Sequence, residues 1–502
     1  MEKTVFSLIK KEKEKIYWNT RMVLLRIPTI LKIGEKFSLY ISVIDNNGLP
    51  DEKFNLPIQF EKNDIVENLP KDYKMSLKDK GLAEIKGLIA KRTGILRIIA
   101  KIKYKDKELE LISNPSWIMI SPKFRIFWGD LHVHSVMGTC SIHMTKNPEL
   151  AYLYARDVVH HDFLSVTDHL YGITPEKWKL LKLLAKKYNN PGKFVTILGY
   201  ESSHSSGRGG DINVYFNSDN GAVFPLTREI MRTVNPKITD LWKFLDKNNK
   251  KDYLLVPHHT ARREKYRDYD DEYYYKSREP IFEIYSMWGS SEKKQNQYAF
   301  WRDRSERKSY FQDALMAGCK YGVIASGDDH TTMPMCQVPY TSGPFGSKTN
   351  RNIHSGLAAV LAVRNTREDI FEALKNRRCY GTTYEKTIID FSINTAMQGQ
   401  TIFIGQRDLD NKKRIIRIRI SDVNNKNPMG KVTIIRNNEE ISTFNLDTPD
   451  NEFNFVDEDI FDKISIKDSK FNSNPFIYYY VRYDKMASNI SAWSSPIWFE
   501  KR

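Results

Sequence analysis

The chain has 502 residues, room for two to four domains of ordinary size. At 40% hydrophobic and 28% charged it has a globular composition, with no apolar run long enough to span a bilayer and no signal-peptide core in MEKTVFSLIKKEKEK, so a cytoplasmic location without a membrane partner is expected. Lys and Arg exceed Asp and Glu by 16, and Cys140, Cys319, Cys336 and Cys379 form no CxxC pair, which argues against a disulfide framework or a zinc ribbon.

Residues 1–122 read as an all-β module. Phe37, Leu39, Ile41 and Val43 alternate with polar residues, Asp45-Asn46-Asn47-Gly48 supplies turn chemistry, and Leu96, Ile98, Ala100 and Ile102 repeat the alternation. Short strands with polar turns predict an immunoglobulin-like sandwich. Residues 123–386 change pattern. Apolar runs alternate with amphipathic helices, as in a parallel β/α domain. Helices are expected to open at Asn147-Pro148-Glu149 and Thr174-Pro175-Glu176, with others near 240–246, 310–319 and 367–377. Strands are expected at 163–167, 194–199, 212–216, 253–256, 281–285, 323–325 and 357–363. The stretch Ala261–Glu279 reads as a lid or, more simply, a solvated loop. Residues 387–502 read as a second small sandwich, with Ile416, Ile418 and Ile420 alternating against Arg417 and Arg419, and with 457–474 as loops.

The eleven histidines all fall between His132 and His354, so any imidazole chemistry belongs to the middle region. The ends of its strands carry a pattern. The first ends in His132-Val133-His134, the second in Asp168-His169, and the third in Gly199-Tyr200-Glu201. The later ones lead to Pro257-His258-His259, Glu283, and Ser326-Gly327-Asp328-Asp329-His330. In a β/α barrel such ends converge on one mouth. A lone histidine there is often structural, but such groups from at least five strands predict a multi-metal centre. Mixed imidazole and carboxylate donors suit two or three divalent Zn, Mn or Fe ions.

GDLHVH, TDH, GYE, PHH and SGDDH, in this order, resemble the PHP (polymerase and histidinol phosphatase) superfamily. AYLYARD, FVTILGYES, YSMWGSSE, GVIASGDDH, RRCYGTT and AWSSPIW resemble a large branch of it known mainly as a domain of unknown function with flanking β-sandwiches. The resemblance implies a distorted (β/α)7 TIM-like barrel, α/β in class, and hydrolysis of phosphomono- or diesters by a metal-bridging hydroxide. It implies that His132, His134, Glu201 and Asp328 hold one ion, that Glu201 bridges to a second held with His258, and that His169 and His330 serve a third. Two positions depart from the pattern. Cys140, with His143 near it, stands where relatives place His or Asp, and Asp211, with His204 near it, stands where they place His.

Asp168, His259 and Arg378 are the candidate catalytic residues. Asp168, like Asp130 and Asp329, is placed to orient a ligand imidazole or to bond its own turn. Arg377 and Arg378 would clamp a phosphate or simply favour a helix C-terminus. The expected substrate is a small phosphorylated anion. Hydrolysis of another ester or amide bond is the alternative. Nucleic-acid processing is a further one, for which the basic charge speaks but no recognisable binding motif does. The flanking sandwiches, without histidine, are expected to be non-catalytic.

Overall fold

The computed structural model describes residues 20–45, 47–104, 107–139, 145–249, 252–262, 266–298, 308–335, 354–405, 413–423, 430–485 and 489–502. At the N-terminal end, Thr20–Arg26, Lys36–Asp45, Leu82–Ala90 and Val66–Glu67 form one sheet, and Lys107–Ile112, Ile99–Tyr104, Pro57–Phe60 and Asp72–Lys74 another. Successive residues of a strand face opposite ways. Phe37, Leu39, Ile41 and Val43 therefore share one face and bury against Ile58, Ala100 and Ile102 of the second sheet, as the alternation predicts.

Among the described residues the longer strands of the middle region are β1 (Arg125–Val133), β2 (Phe163–Val166), β3 (Leu198–Ser203), β4 (Asp211–Phe216), β5 (Tyr253–Pro257), β6 (Ile281–Ser286), β7 (Gly322–Ala325), β8 (Gly356–Ala362) and β9 (Cys379–Thr383). The helices between them start where the caps predict. Asn147 accepts the Glu149 amide ahead of Pro148–Leu153, and the side chains of Thr174 and Thr366 cap Pro175–Tyr188 and Arg367–Lys375. The first of these continues into a π-turn over Tyr154–Val158. The predicted helix at 310–319 is shorter, Phe311–Met316.

Strand direction departs from the expectation. β1 runs parallel to β2, and β6 to β7. β4, however, is antiparallel to both β3 and β5, and β8 is antiparallel to β1. For β3 and β4 the cause is the connection. Ser-Gly-rich residues 204–210 join β3 to β4 without a crossover helix, and a link that short can only return antiparallel. Strands dominate the chain, and among the described residues no continuous pairing closes a barrel. Isolated bridges instead hold the sheets together at the mouth, His169 to Glu201 and Val133 to Asp329.

From β9 the sheet passes straight into C-terminal strands. Tyr380 and Thr382 pair with Ser494 and Ala492, and the sheet continues through Phe476–Lys485 to Lys431–Arg436. A second sheet holding Ile388–Ile393, Arg414–Ser421 and Asp450–Asp457 packs its Phe391, Ile416, Ile418 and Ile420 against Val432, Ile434 and Val481. That core also takes in Leu24 and Ile44 from the N-terminal module and Trp128 from β1.

The segment expected to be a solvated loop is packed from residue 266 on. Tyr266, Arg267, Tyr269 and Glu279 are buried. The Arg267 guanidinium pairs with the Glu279 carboxylate, which also accepts the Tyr321 hydroxyl at 2.9 Å.

Candidate metal centre

His132 and His134, two residues apart at the end of β1, point to one face, and their Nε2 atoms stand 3.2 Å apart. β3 brings Glu201 beside them. Its Oε2 lies 2.5 Å from His169 Nδ1 and 3.4 Å from His134 Nε2, and its Oε1 lies 3.2 Å from His258 Nε2. Asp328, beyond β7, closes the other side, with Oδ1 2.9 Å from His134 Nε2 and 3.4 Å from His132 Nε2, and Oδ2 3.1 Å from His259 Nε2. His132, His134 and His258 are fully enclosed.

The turns that deliver these groups are demanding. Asp328 and His259 both adopt left-handed backbone, with φ of 50° and 52°, which costs a non-glycine residue about 1–3 kcal/mol. The Asp130 carboxylate accepts the backbone N–H of His132 at 3.0 Å and of Gly327 at 2.9 Å, so one buried acid fixes the end of β1 to the turn that carries Asp328. Glu283 on β6 sits 3.1 Å from His132 Nδ1 and sends Nε2 toward the cluster, the usual carboxylate support of a metal-bound imidazole. His330 Nδ1 bonds the Asp328 carbonyl at 3.0 Å, which turns its Nε2 the same way.

The electrostatics call for positive charge. Burial alone would raise the Glu201 carboxyl, but the His169 charge and hydrogen bonds from His132, His169 and His258 hold it well below the usual carboxylate range. Asp328 is likewise raised by burial and then carried far below its ordinary value by His132, His134 and His259. The imidazoles cannot all answer that demand. Burial and the neighbouring His169 charge keep His134 down at about 4, while His132, against the cost of burial, is lifted well above its usual value by Asp328 and Glu283. Divalent ions satisfy carboxylates and neutral imidazoles together. An ion about 2.0–2.2 Å from each donor spaces those donors by roughly 3–3.5 Å, the spacing seen here. In four overlapping groups the donor atoms lie within 4.8 Å of one another: His134, His169 and His330; His132, His134 and Asp328; His132, Glu201 and His258; and Asp211, His258 and His259.

The structure thus gathers His132, His134, His169, Glu201, Asp211, His258, Asp328 and His330, and adds His259 as a potential ligand. Asp211 joins at the start of β4, whereas His204 turns away to Ser202 and the Pro236 carbonyl. Cys140 and His143 lie outside the described residues. Asp168 is buried, but its oxygens take the amides of Ser135 and Gly138 and the Ser135 hydroxyl, so it shapes the turn after β1 rather than touching the cluster. Asp329 does the same for Thr331 and Met333.

Arg378 is a correction. It lies over the Phe124 ring at 5.2 Å and donates to the Leu361 carbonyl. Neighbouring Cys379 stands level with Phe127 across β8, about 17 Å along β1 from His132. Arg377 packs on Trp498 and bonds the Gly399 carbonyl. Neither reaches the cluster. Sequence reasoning passed over Trp288, whose indole N–H donates to the Asp328 carbonyl at 3.2 Å and whose ring meets His330 edge-on. It lies in the YSMWGSSE motif, but nothing in its spacing marks a role. It also passed over Arg262, three residues after His259, whose Nη1 lies 3.8 Å from Asp211 Oδ2.

Residues 159–297 and 309–396 match the family model described as "Protein of unknown function (DUF3604)". An uncharacterized protein of Chlamydia pneumoniae is 25% identical over 483 residues, covering 94% of this chain and 73% of that protein. One from Chlamydia trachomatis is 23% identical over 494 residues, with the same coverage. Among solved structures, a two-domain protein from Bacteroides vulgatus containing a predicted PHP-like metal-dependent phosphoesterase is 14% identical. It covers 71% of this chain and 90% of its own, at a TM-score of 0.35. No helix among the described residues is long and apolar enough to cross a membrane.

Proposed function

We propose that the chain is a metal-dependent hydrolase that cleaves phosphoester bonds of a small anionic substrate. The observation that carries this reading is the Glu201 carboxylate, whose Oε2 faces His169 and His134 while its Oε1 faces His258, so that one acid could serve two ions held among the donor groups. Two ions held with a common carboxylate would form the paired arrangement that serves in-line displacement at phosphorus. Bound divalent ions would supply charge neutralisation at the phosphoryl oxygens and a lowered pKa for water at the site.

The chain's own groups do the rest. Glu283 holds His132 in one orientation, and Asp130 and Trp288 hold the Asp328 turn. The Asp168 turn keeps the loop after β1 in place. His259 Nε2 lies 3.1 Å from both the Ser286 hydroxyl and Asp328 Oδ2, and burial pulls the imidazole below its ordinary value, so where it is not a ligand it would serve as a proton acceptor at the site. The enclosure of the donors favours a terminal phosphate over a polymer backbone, and with it the enzyme reading over nucleic-acid processing.

Full-length protein tested on model phosphomonoesters, diesters and triesters should turn over at least one of them, lose that turnover on chelation and regain it on adding Zn, Mn or Fe. Metal-dependent cleavage confined to carboxyl esters or amides would replace the phosphoesterase reading with the alternative one. Steeply salt-dependent DNA binding with no small-substrate turnover would favour nucleic-acid processing.

A further inference from the structure

Arg262 occupies the place that Arg378 does not. β5 ends at Pro257, the ligand pair His258-His259 follows, and the Arg262 amide closes the next turn onto the His259 carbonyl at 2.9 Å. Its neighbour Ala261 is fully buried, so the turn is anchored and the side chain leaves it toward the cluster. The side chain is 27% exposed, and its guanidinium lies 3.8 Å from Asp211, itself grouped with His258 and His259. Burial works against its charge, but Tyr266, Asp211, Asp328 and Glu201 together outweigh it and hold the guanidinium above its ordinary value. At that distance Asp211 attracts the guanidinium without engaging its fork, which presents five N–H donors in the planar geometry that suits two oxygens of a tetrahedral anion. Divalent ions at the donor groups would neutralise the carboxylates and leave this cation facing whatever anion sits on the metals.

We propose that Arg262 binds the non-reacting oxygens of the substrate's phosphoryl group and so selects a tetrahedral oxyanion beside the His258–His259–Asp211 group. The proposal rests on the phosphoesterase reading and can fail separately from it.

The test is calorimetric titration of inorganic phosphate, with acetate as the planar control, into full-length metal-loaded wild type, Arg262→Gln and Arg262→Lys, with elemental analysis of each. Metal content should be equal in all three. Phosphate affinity should fall about ten- to a hundredfold in Arg262→Gln and less in Arg262→Lys, as expected for loss of a charge-assisted pair of hydrogen bonds. Acetate affinity should change little. Phosphate affinity within twofold of wild type in Arg262→Gln would overturn the proposal. So would a wild type that binds no phosphate, or a metal content that falls along with phosphate affinity, since Arg262 would then only brace Asp211. If Arg262→Gln does not fold, Arg262→Lys decides: full affinity at unchanged metal content overturns the role. Phosphate bound through Arg262 by a chain that cleaves no phosphoester would support the anion site and refute the phosphoesterase reading alone.

Discussion

A glycine and a buried acid decide whether Asp328 reaches the cluster. A Cβ on Gly327 would lie 2.4 Å from Asp130 Oδ2, so Gly327→Ala must push apart the two turns that Asp130 joins. The expected cost is about 1–3 kcal/mol, read as a lower thermal midpoint together with reduced metal content. An unchanged midpoint and full metal would show the contact to be soft. His259 has two roles open to it, proton acceptor and ligand. His259→Gln should cut turnover by about a hundredfold or more at unchanged metal content, whereas loss of metal would make it a ligand first. Most of the donors were legible because they follow an apolar run, a pattern that survives in sequence; Asp211, at the start of β4, was reached only through the family resemblance. Arg378 was misplaced for the opposite reason. Its distance from the mouth depends on the direction of β8 and β9, and apolar runs do not encode direction.

At the scale of elements, the same limit explains the sheets. The positions of β2 and of β4 to β8 were readable to within a residue or two from hydrophobic runs and caps, whereas β3 lies four residues beyond the expected 194–199, and the antiparallel direction of β4 and β8 was not readable. Pairings across long sequence gaps were also hidden. Glu292, from the YSMWGSSE motif, accepts the Arg482 guanidinium at 2.9 Å, the Tyr480 hydroxyl at 3.0 Å and the indole N–H of Trp493, from AWSSPIW, at 2.9 Å. Two motifs far apart in the chain thus meet at one buried carboxylate. Glu292→Ala should cost about 3 kcal/mol, the lower end for breaking a buried pair, because Arg482 keeps Asp484 and Glu440. A midpoint of thermal unfolding within a degree of wild type would show that the network adds nothing.

The contact between the N-terminal sheet and the middle region has its own pH signature. His160 stacks on Tyr40 with ring centres 4.4 Å apart and bonds the Ser42 hydroxyl at 3.1 Å. Burial, then the charges of Lys386 and Arg26, push it down to about 3. A histidine depressed in the folded state contributes stability above its unfolded pKa, about 6.5, and loses it as pH falls toward 3. Between pH 6.5 and 4, His160→Gln should therefore lose stability less steeply than wild type, by about 1.4 kcal/mol per pH unit at most. Parallel curves would place the acid sensitivity elsewhere.

Over the whole molecule, the sequence pattern led to an expectation of three regions, but did not show the continuity of the sheet from β1 through β8 and β9 into Ile490–Ser494. We propose that the middle region depends on its flanks for folding. A fragment of residues 123–386 would expose the β9 edge and part of a shared core, and should be poorly soluble even though it carries every donor of the cluster. All of this rests on the cluster being a metal centre, and elemental analysis of full-length protein purified without chelator tests that most directly. The account predicts at least two transition-metal ions per chain, fewer in His134→Ala and in Glu201→Ala. A folded wild-type chain that carries no metal and takes none up on incubation with Zn, Mn or Fe would contradict it.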